Sequence, residues 1–107
     1  MIATPLRLWL CTDATDMRRS YRGLASLVRV HFERAPNCGD AFVFINRRRT
    51  QMKCLYYERG GYCIWGKRLD RGHFRQLERS GILSATEFAA LLDGLDVTVR
   101  RRRLRSV

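Results

Sequence analysis

The stretch Ala41–Phe74, AFVFINRRRTQMKCLYYERGGYCIWGKRLDRGHF, decides the fold. Three runs in it, Ala41–Asn46, Met52–Glu58 and Tyr62–Leu69, are rich in Val, Ile, Phe, Tyr and Trp, and such side chains suit a pleated, half-buried surface. The turns between them are short enough for antiparallel hairpins, so the order predicts a meander. With Gly60 and Gly61 as a two-residue turn, Arg59 faces Tyr62, Glu58 faces Cys63, Tyr57 faces Ile64 and Tyr56 faces Trp65, because antiparallel partners keep a constant index sum. Alternation then puts Cys54, Tyr56, Cys63, Trp65 and Lys67 on one side, and Lys53, Leu55, Tyr57, Arg59, Tyr62, Ile64 and Arg68 on the other. Both sides carry aromatics and cations, so the pattern leaves open which side meets a helix, and one face is expected to stay partly wet.

Upstream, Arg7–Cys11 reads as a first strand and Thr12–Thr15 as a polar turn, with Asp16 placed to cap a helix. Met17, Tyr21, Leu24, Val28 and Phe32 recur every three to four residues and predict the apolar face of a helix from Met17 to Arg34. Ala35-Pro36-Asn37-Cys38-Gly39-Asp40 ends it, since Pro and Gly break helices and Asn and Asp favour turns. Arg18, Arg19, Arg22 and Arg29 fall on the opposite face, which fits a solvated surface as well as it fits phosphate contacts. Downstream, Asp70–Arg79 is a charged connection and Ile82 and Leu83 form a short apolar segment. Ser84-Ala85-Thr86-Glu87 is a capping box opening a helix from Ala85 to Asp93, with Phe88, Leu91, Leu92 and Leu95 on its apolar face and Gly94 as its left-handed stop. The fold class predicted is α+β, a small single domain over residues 1–99 in which an antiparallel meander of three to five strands packs with two helices. Residues 100–107 follow as a basic arm that repels itself and is flexible on its own, and Val97–Val99 before it suits an edge strand.

Composition narrows the function. A chain of 107 residues leaves little room for a deep active-site cleft. Its apolar runs are far shorter than the roughly 20 residues of a membrane span, and no cationic region precedes the apolar stretch near the start, so neither a span nor a secretion signal is expected. Cys11, Cys38, Cys54 and Cys63 include no C-x-x-C pair, and only His31 and His73 offer ring nitrogens, so thiols buried in a reducing cytoplasm are expected rather than a metal site. Asp13, Asp16, Asp40, Glu58 and Asp70 are scattered among turns and do not predict a metal-dependent nuclease. Gly60-Gly61 sits in a hairpin and is not a phosphate loop. An enzyme and a cofactor are therefore not expected.

The positive signal is charge. The net charge is +11, and Lys53 and Lys67 are the only lysines among the 21 cations. Arginine favours planar, bidentate contacts to phosphate, although GC-rich coding also enriches it, so its placement carries more weight than its identity. Five arginines lie in the last eight residues, and taking them from +11 leaves a body at +6. The residues expected to meet nucleic acid are Arg47, Arg48, Arg49, Lys53, Lys67, Arg68 and Arg71 on the sheet side, with Arg100, Arg101, Arg102 and Arg103 as an arm. Some sheet aromatics must be core, so the Arg47–Arg49 turn and the Lys67-Arg68 pair are better candidates than base stacking. The alternative is a protein-interaction adaptor, since exposed aromatics with Arg are enriched at protein interfaces too.

The order of these pieces resembles one family, the small accessory protein of TnpB type, Orf2-like, from the bacterial insertion-sequence family numbered sixty-six. The resemblance rests on LWLCTDATDMRRSYRGLASLV, FVFINRRRTQMKCLYYERGGYCIWGKRLDRGHF and LSATEFAALLDGLD, which together cover nearly the whole chain. The turns CTDAT and ERGG and the spacer RQLERSGI depart from the family's usual pattern, but they concern connections and not chemistry. The resemblance implies a non-catalytic bacterial cytoplasmic protein acting in transposition, with element-end DNA and a separate transposase as partners. It is distinct from the RNA-guided nuclease that shares the TnpB name.

Overall fold

The computed structural model describes residues 5–76 and 80–92. The chain runs β1 (Leu8–Cys11), α1 (Tyr21–Leu27) continued by a π-helical segment (Val28–Phe32), β2 (Ala41–Ile45), β3 (Gln51–Glu58), β4 (Gly61–Arg68), β5 (Gly81–Leu83) and α2 (Ala85–Leu92). The five strands form one sheet in the order β4-β3-β2-β1-β5. The meander β2-β3-β4 is antiparallel as expected. Strand β1 adds to it in parallel with β2, which requires a crossover, and α1 supplies it. Strand β5, which the sequence showed only as the apolar pair Ile82 and Leu83, closes the far edge antiparallel to β1.

Strand β2 is the middle of the sheet, and all five of its residues are buried. Its two faces feed two cores. Phe42 and Phe44 pack with Leu24, Ala25 and Val28 of the α1 segment and with Leu55, while Ala41, Val43 and Ile45 pack with Met52, Cys54, Phe74 and Leu91 of α2. Burying a side chain of this size contributes about 1.5–3 kcal/mol, so the sheet is held from both sides. The partly wet surface expected of the sheet is found at its edge strand β4, where Trp65 is 36% exposed.

The β3–β4 hairpin turns one residue earlier than expected. Glu58 pairs with Gly61, Tyr57 with Tyr62 and Cys54 with Trp65. The two turn residues are therefore Arg59 and Gly60, with φ of 52° and 84°, and positive φ at both central positions is what a type I′ hairpin turn needs. Gly61 is the first residue of β4 and not a turn residue. The index sum changes by two, which preserves parity, so the facing sets read from the sequence hold. Leu55, Tyr62 and Ile64 lie on the α1 side, and Cys54 and Tyr56 on the α2 side.

The first helix starts at Tyr21, four residues later than the periodicity predicts, and ends at Phe32 before Glu33 turns left-handed at φ 54°. Asp16 does not cap it. The Asp16 carboxylate accepts from the Arg18 amide at 2.9 Å and from the Arg18 guanidinium at 2.7–3.1 Å, closing a separate turn. This pairing holds the Asp16 carboxyl down at about 2. Lys53 Nζ donates to the carbonyls of Met17 and Arg19 at 2.7 and 2.8 Å, taking acceptors that an earlier helix would use for its own amides. The capping box of α2 is as read: Glu87 N donates to Ser84 Oγ at 3.0 Å, and Ser84 N donates to Glu87 Oε1 at 2.9 Å. Asp93, Gly94, Leu95, the 97–99 segment and the arm 100–107 lie outside the described residues.

Asp40, 2% exposed at the entrance to β2, accepts from Trp9 Nε1 at 2.8 Å and pairs with Arg34 at 3.1 Å. Arg34 also sits over the Trp9 ring, 4.8 Å from its centroid. All four cysteines are free, with Cys11 and Cys54 buried and Cys38 and Cys63 partly so. Burial pushes the Cys54 thiol up to about 12 from its ordinary 9.0.

Asp40→Ala should cost about 3 kcal/mol in urea unfolding, the low end for a broken buried pair because Arg34 keeps part of its side chain in solvent. Asp40→Asn, which keeps an acceptor for Trp9, should cost less. Native alkylation at pH 8 should label Cys38 and Cys63 before Cys54. The raised Cys54 value favours the neutral thiol in the folded state, so its stabilising effect is present below pH 9 and is lost as pH rises towards 12.

Candidate nucleic-acid interface

The β2–β3 turn is built around Asn46. Its Oδ1 accepts from the amides of Thr50 and Gln51 at 2.9 and 3.0 Å, and its Nδ2 donates to Thr50 Oγ1 at 3.1 Å. Its carbonyl accepts from the Arg49 amide at 3.0 Å, and its own amide donates to Gln51 O at 3.0 Å. The loop this closes holds Arg49 left-handed at φ 58°, a strain on the order of 1 to 3 kcal/mol that the Asn46 contacts offset. Arg47 and Arg48 are consequently turned out to solvent at the tip.

A second segment is fastened beside this turn. Leu69 N donates to Thr50 O at 2.8 Å and Phe74 N donates to Arg49 O at 2.6 Å, while Phe74 plugs into the core on the α2 side. The chain from Arg68 to Arg75 is thus led past the Arg47–Arg49 turn. Arg49 Nη1 donates to Gln76 Oε1 at 2.9 Å, adding a side-chain tie between the two segments. An open cleft of about 330 Å³ lies at this end, lined by Thr12, Asn46, Arg47, Arg49, Arg75 and Gln76 with the last residues of β1 and β2 behind them. These are the carboxyl ends of two parallel strands, where open α/β sheets leave their ligand crevices.

Of the candidate residues, Arg47, Arg48, Arg49, Arg68 and Arg71 gather at this end. Among the described residues no carboxylate forms an ion pair with any of them. Lys53 and Lys67 stand apart on opposite faces. Lys53 is bound to the turn before α1, and Lys67 Nζ donates to Leu92 O at the end of α2 at 3.1 Å. Arg100 to Arg103 lie outside the described residues. Sequence reading missed Arg75, hidden in what looked like a charged connection, and Asn46, whose only signal is an Asn just before an arginine run.

Asp13 lies 3.6 Å from His31, Asp16 is engaged by Arg18 and Asp40 by Arg34. Among the described residues no three of His, Cys, Asp and Glu are grouped to hold a metal ion, and no helix is long and apolar enough to cross a membrane. Fold and site together define a small basic α+β module whose surface chemistry is that of arginine. The chain belongs to the IS66 Orf2-like protein family, whose profile matches residues 6–102, and its context is the accessory machinery of IS66 transposition. It is similar to two uncharacterized proteins of Sinorhizobium fredii. The first, y4jC, is 36% identical over 92% of this chain and 86% of the relative; the second, y4hO, is 34% identical over 85% and 82%. No solved structure matches it.

Asn46→Ala should destabilise the protein by about 1–3 kcal/mol, since it leaves the Thr50 and Gln51 amides without their acceptor. The same variant should speed hydrogen exchange at Arg49 and Thr50. Asn46→Asp retains Oδ1 and should exchange almost as slowly as the parent.

Proposed function

We propose that the protein is a non-catalytic DNA-binding accessory module that assists a separate transposase at the ends of its element. The observation that carries the reading is the Asn46-built turn with the fastened 69–74 segment beside it, which together present Arg47, Arg48, Arg49, Arg68 and Arg71 at one end of the sheet. Guanidinium groups that have no carboxylate partner among the described residues are suited to bidentate phosphate contact. Arg75 in the cleft extends the set, and Arg100 to Arg103 add a sequence-independent electrostatic arm. Lys53 and Lys67 serve the interface through the helices they hold, so direct phosphate contacts fall to the arginines.

A second reading, an adaptor that binds the transposase without touching DNA, is favoured by one feature, the exposed Trp65 on β4, the edge strand of the sheet among the described residues. Capture of the transposase that survives nuclease and high salt would favour the adaptor. Loss on nuclease treatment would favour bridging by DNA.

Fluorescence anisotropy on element-end and scrambled duplexes should show affinity falling linearly on logarithmic axes between about 50 and 200 mM salt. Arg47→Gln and Arg48→Gln should each lower the slope by about 0.9 and weaken both duplexes alike. Removing residues 100–107 should likewise weaken both equally. Absence of binding at low salt, or binding indifferent to salt, would overturn the reading.

A further inference from the structure

Tyr21 falls in the apolar repeat of the first helix, yet it is 49% exposed. It borders a groove of about 310 Å³ between the α1 segment and edge strand β4, lined by Tyr21, Arg22, Ala25, Arg29 and Tyr62. None of these residues belongs to the arginine cleft at the carboxyl ends of β1 and β2. The groove therefore has its own chemistry to explain, two phenol rings and two guanidinium groups around a single alanine floor. Arg22 and Arg29 are exposed, and among the described residues neither is ion-paired with a carboxylate.

From this arrangement we infer that the groove binds an unpaired nucleic-acid strand, with a base stacked against Tyr21 and Tyr62 and its flanking phosphates on Arg22 and Arg29. The rings are prepared for this. Tyr57 packs edge-on against Tyr62, with centroids 5.1 Å apart and planes at 74°, so the Tyr62 ring is held in place before any ligand arrives. Gly61 precedes Tyr62 and Gly60 lies in the turn before that, and a Cβ added at either would meet nothing within 4 Å, so the approach along the hairpin is open. The arginines are seven residues apart, about 10 Å along the segment, far enough to engage different phosphates of one strand. Ala25 between them keeps the floor low.

The charge selects an anion and the paired rings select a flat apolar surface, and an unpaired strand carries both. A duplex keeps its base faces stacked inside and offers only phosphates to such a groove. An acidic peptide would satisfy the arginines but leave the rings without a planar partner. The inference is separate from the duplex contacts proposed for the arginine end, and either can fail without the other.

The test measures binding of a fluorescein-labelled single-stranded oligonucleotide of mixed sequence and of its duplex, to the full chain and four variants, each checked for an unchanged thermal midpoint. Tyr21→Leu should weaken the single strand by about 5- to 150-fold, the range for truncating a stacking aromatic, and leave the duplex unchanged. Tyr21→Trp should bind the single strand at least as tightly as the parent, since it retains a stacking face. Arg22→Gln combined with Arg29→Gln should weaken the single strand and lower its salt slope by about 0.7 per contact. Arg47→Gln with Arg48→Gln should act mainly on the duplex. Equal single-strand affinity for Tyr21→Leu and the parent would overturn the groove assignment, as would a Tyr21→Leu effect of the same size on strand and duplex. Preference of the groove for an acidic peptide over the oligonucleotide would overturn it as well.

Discussion

The Asp40 carboxylate holds together the part of the chain on which the remainder is built. Parallel pairing of β1 with β2 requires the chain to leave the sheet, run back as a helix and return, and nothing local fixes where it returns. Asp40 does so by accepting from Trp9 of β1 and pairing with Arg34 from the end of the helical segment, at the residue just before β2. A buried carboxylate is tolerable only with such partners. Arg34 completes the closure by stacking over the Trp9 ring, an interaction worth about 0.5–2 kcal/mol. The Nε of Arg34 is buried without a partner among the described residues, so Asp40 satisfies part of the guanidinium and the ring covers the rest. Once β1 is in register, β5 can pair with its free edge and lead the chain into α2 on the second face.

The two lysines do for the faces what Asp40 does for the edge. Each sits on the meander and sends its ammonium to main-chain carbonyls, Lys53 to the turn that precedes α1 and Lys67 to the end of α2. A compact ammonium with three rotatable donors suits carbonyls that point in no common plane, whereas the rigid fork of arginine suits carboxylate and phosphate. The division of labour follows from this. On the sheet the lysines hold the two faces and Arg34 holds the edge, while the positive charge exposed at the β2–β3 tip, Arg47 and Arg48, is arginine.

Strand content was legible because alternation and β-branched composition are local signals, and α2 because Ser84 and Glu87 cap each other across three residues. The facing sets survived an incorrect turn because a hairpin shifted by two in index sum keeps its parity. What local signals did not carry was set by distant partners. The start of α1 depends on Lys53, more than thirty residues away, and the strand character of Gly81–Leu83 depends on β1. The arginine run at 47–49 could be read directly, but its conformation belongs to Asn46, and Arg75 joins it only because Phe74 is anchored in the core. Tyr21 matched the helical repeat yet borders the β4 groove, since periodicity gives an azimuth on the helix and not what lies beneath each turn.

Among the described residues, the α1 segment is tied to the sheet by Leu24, Ala25 and Val28, and α2 by Leu91. An arginine end meeting phosphates fixes position and adds affinity, but phosphates carry no direct sequence information. On the proposed reading, the address of the element must therefore be read by the separate transposase, or indirectly through how readily the DNA deforms. The groove beside Tyr21 and Tyr62 has the same character, since stacking accepts any base. A module with one surface for phosphates and another for an unpaired base would distinguish DNA by strandedness rather than by sequence.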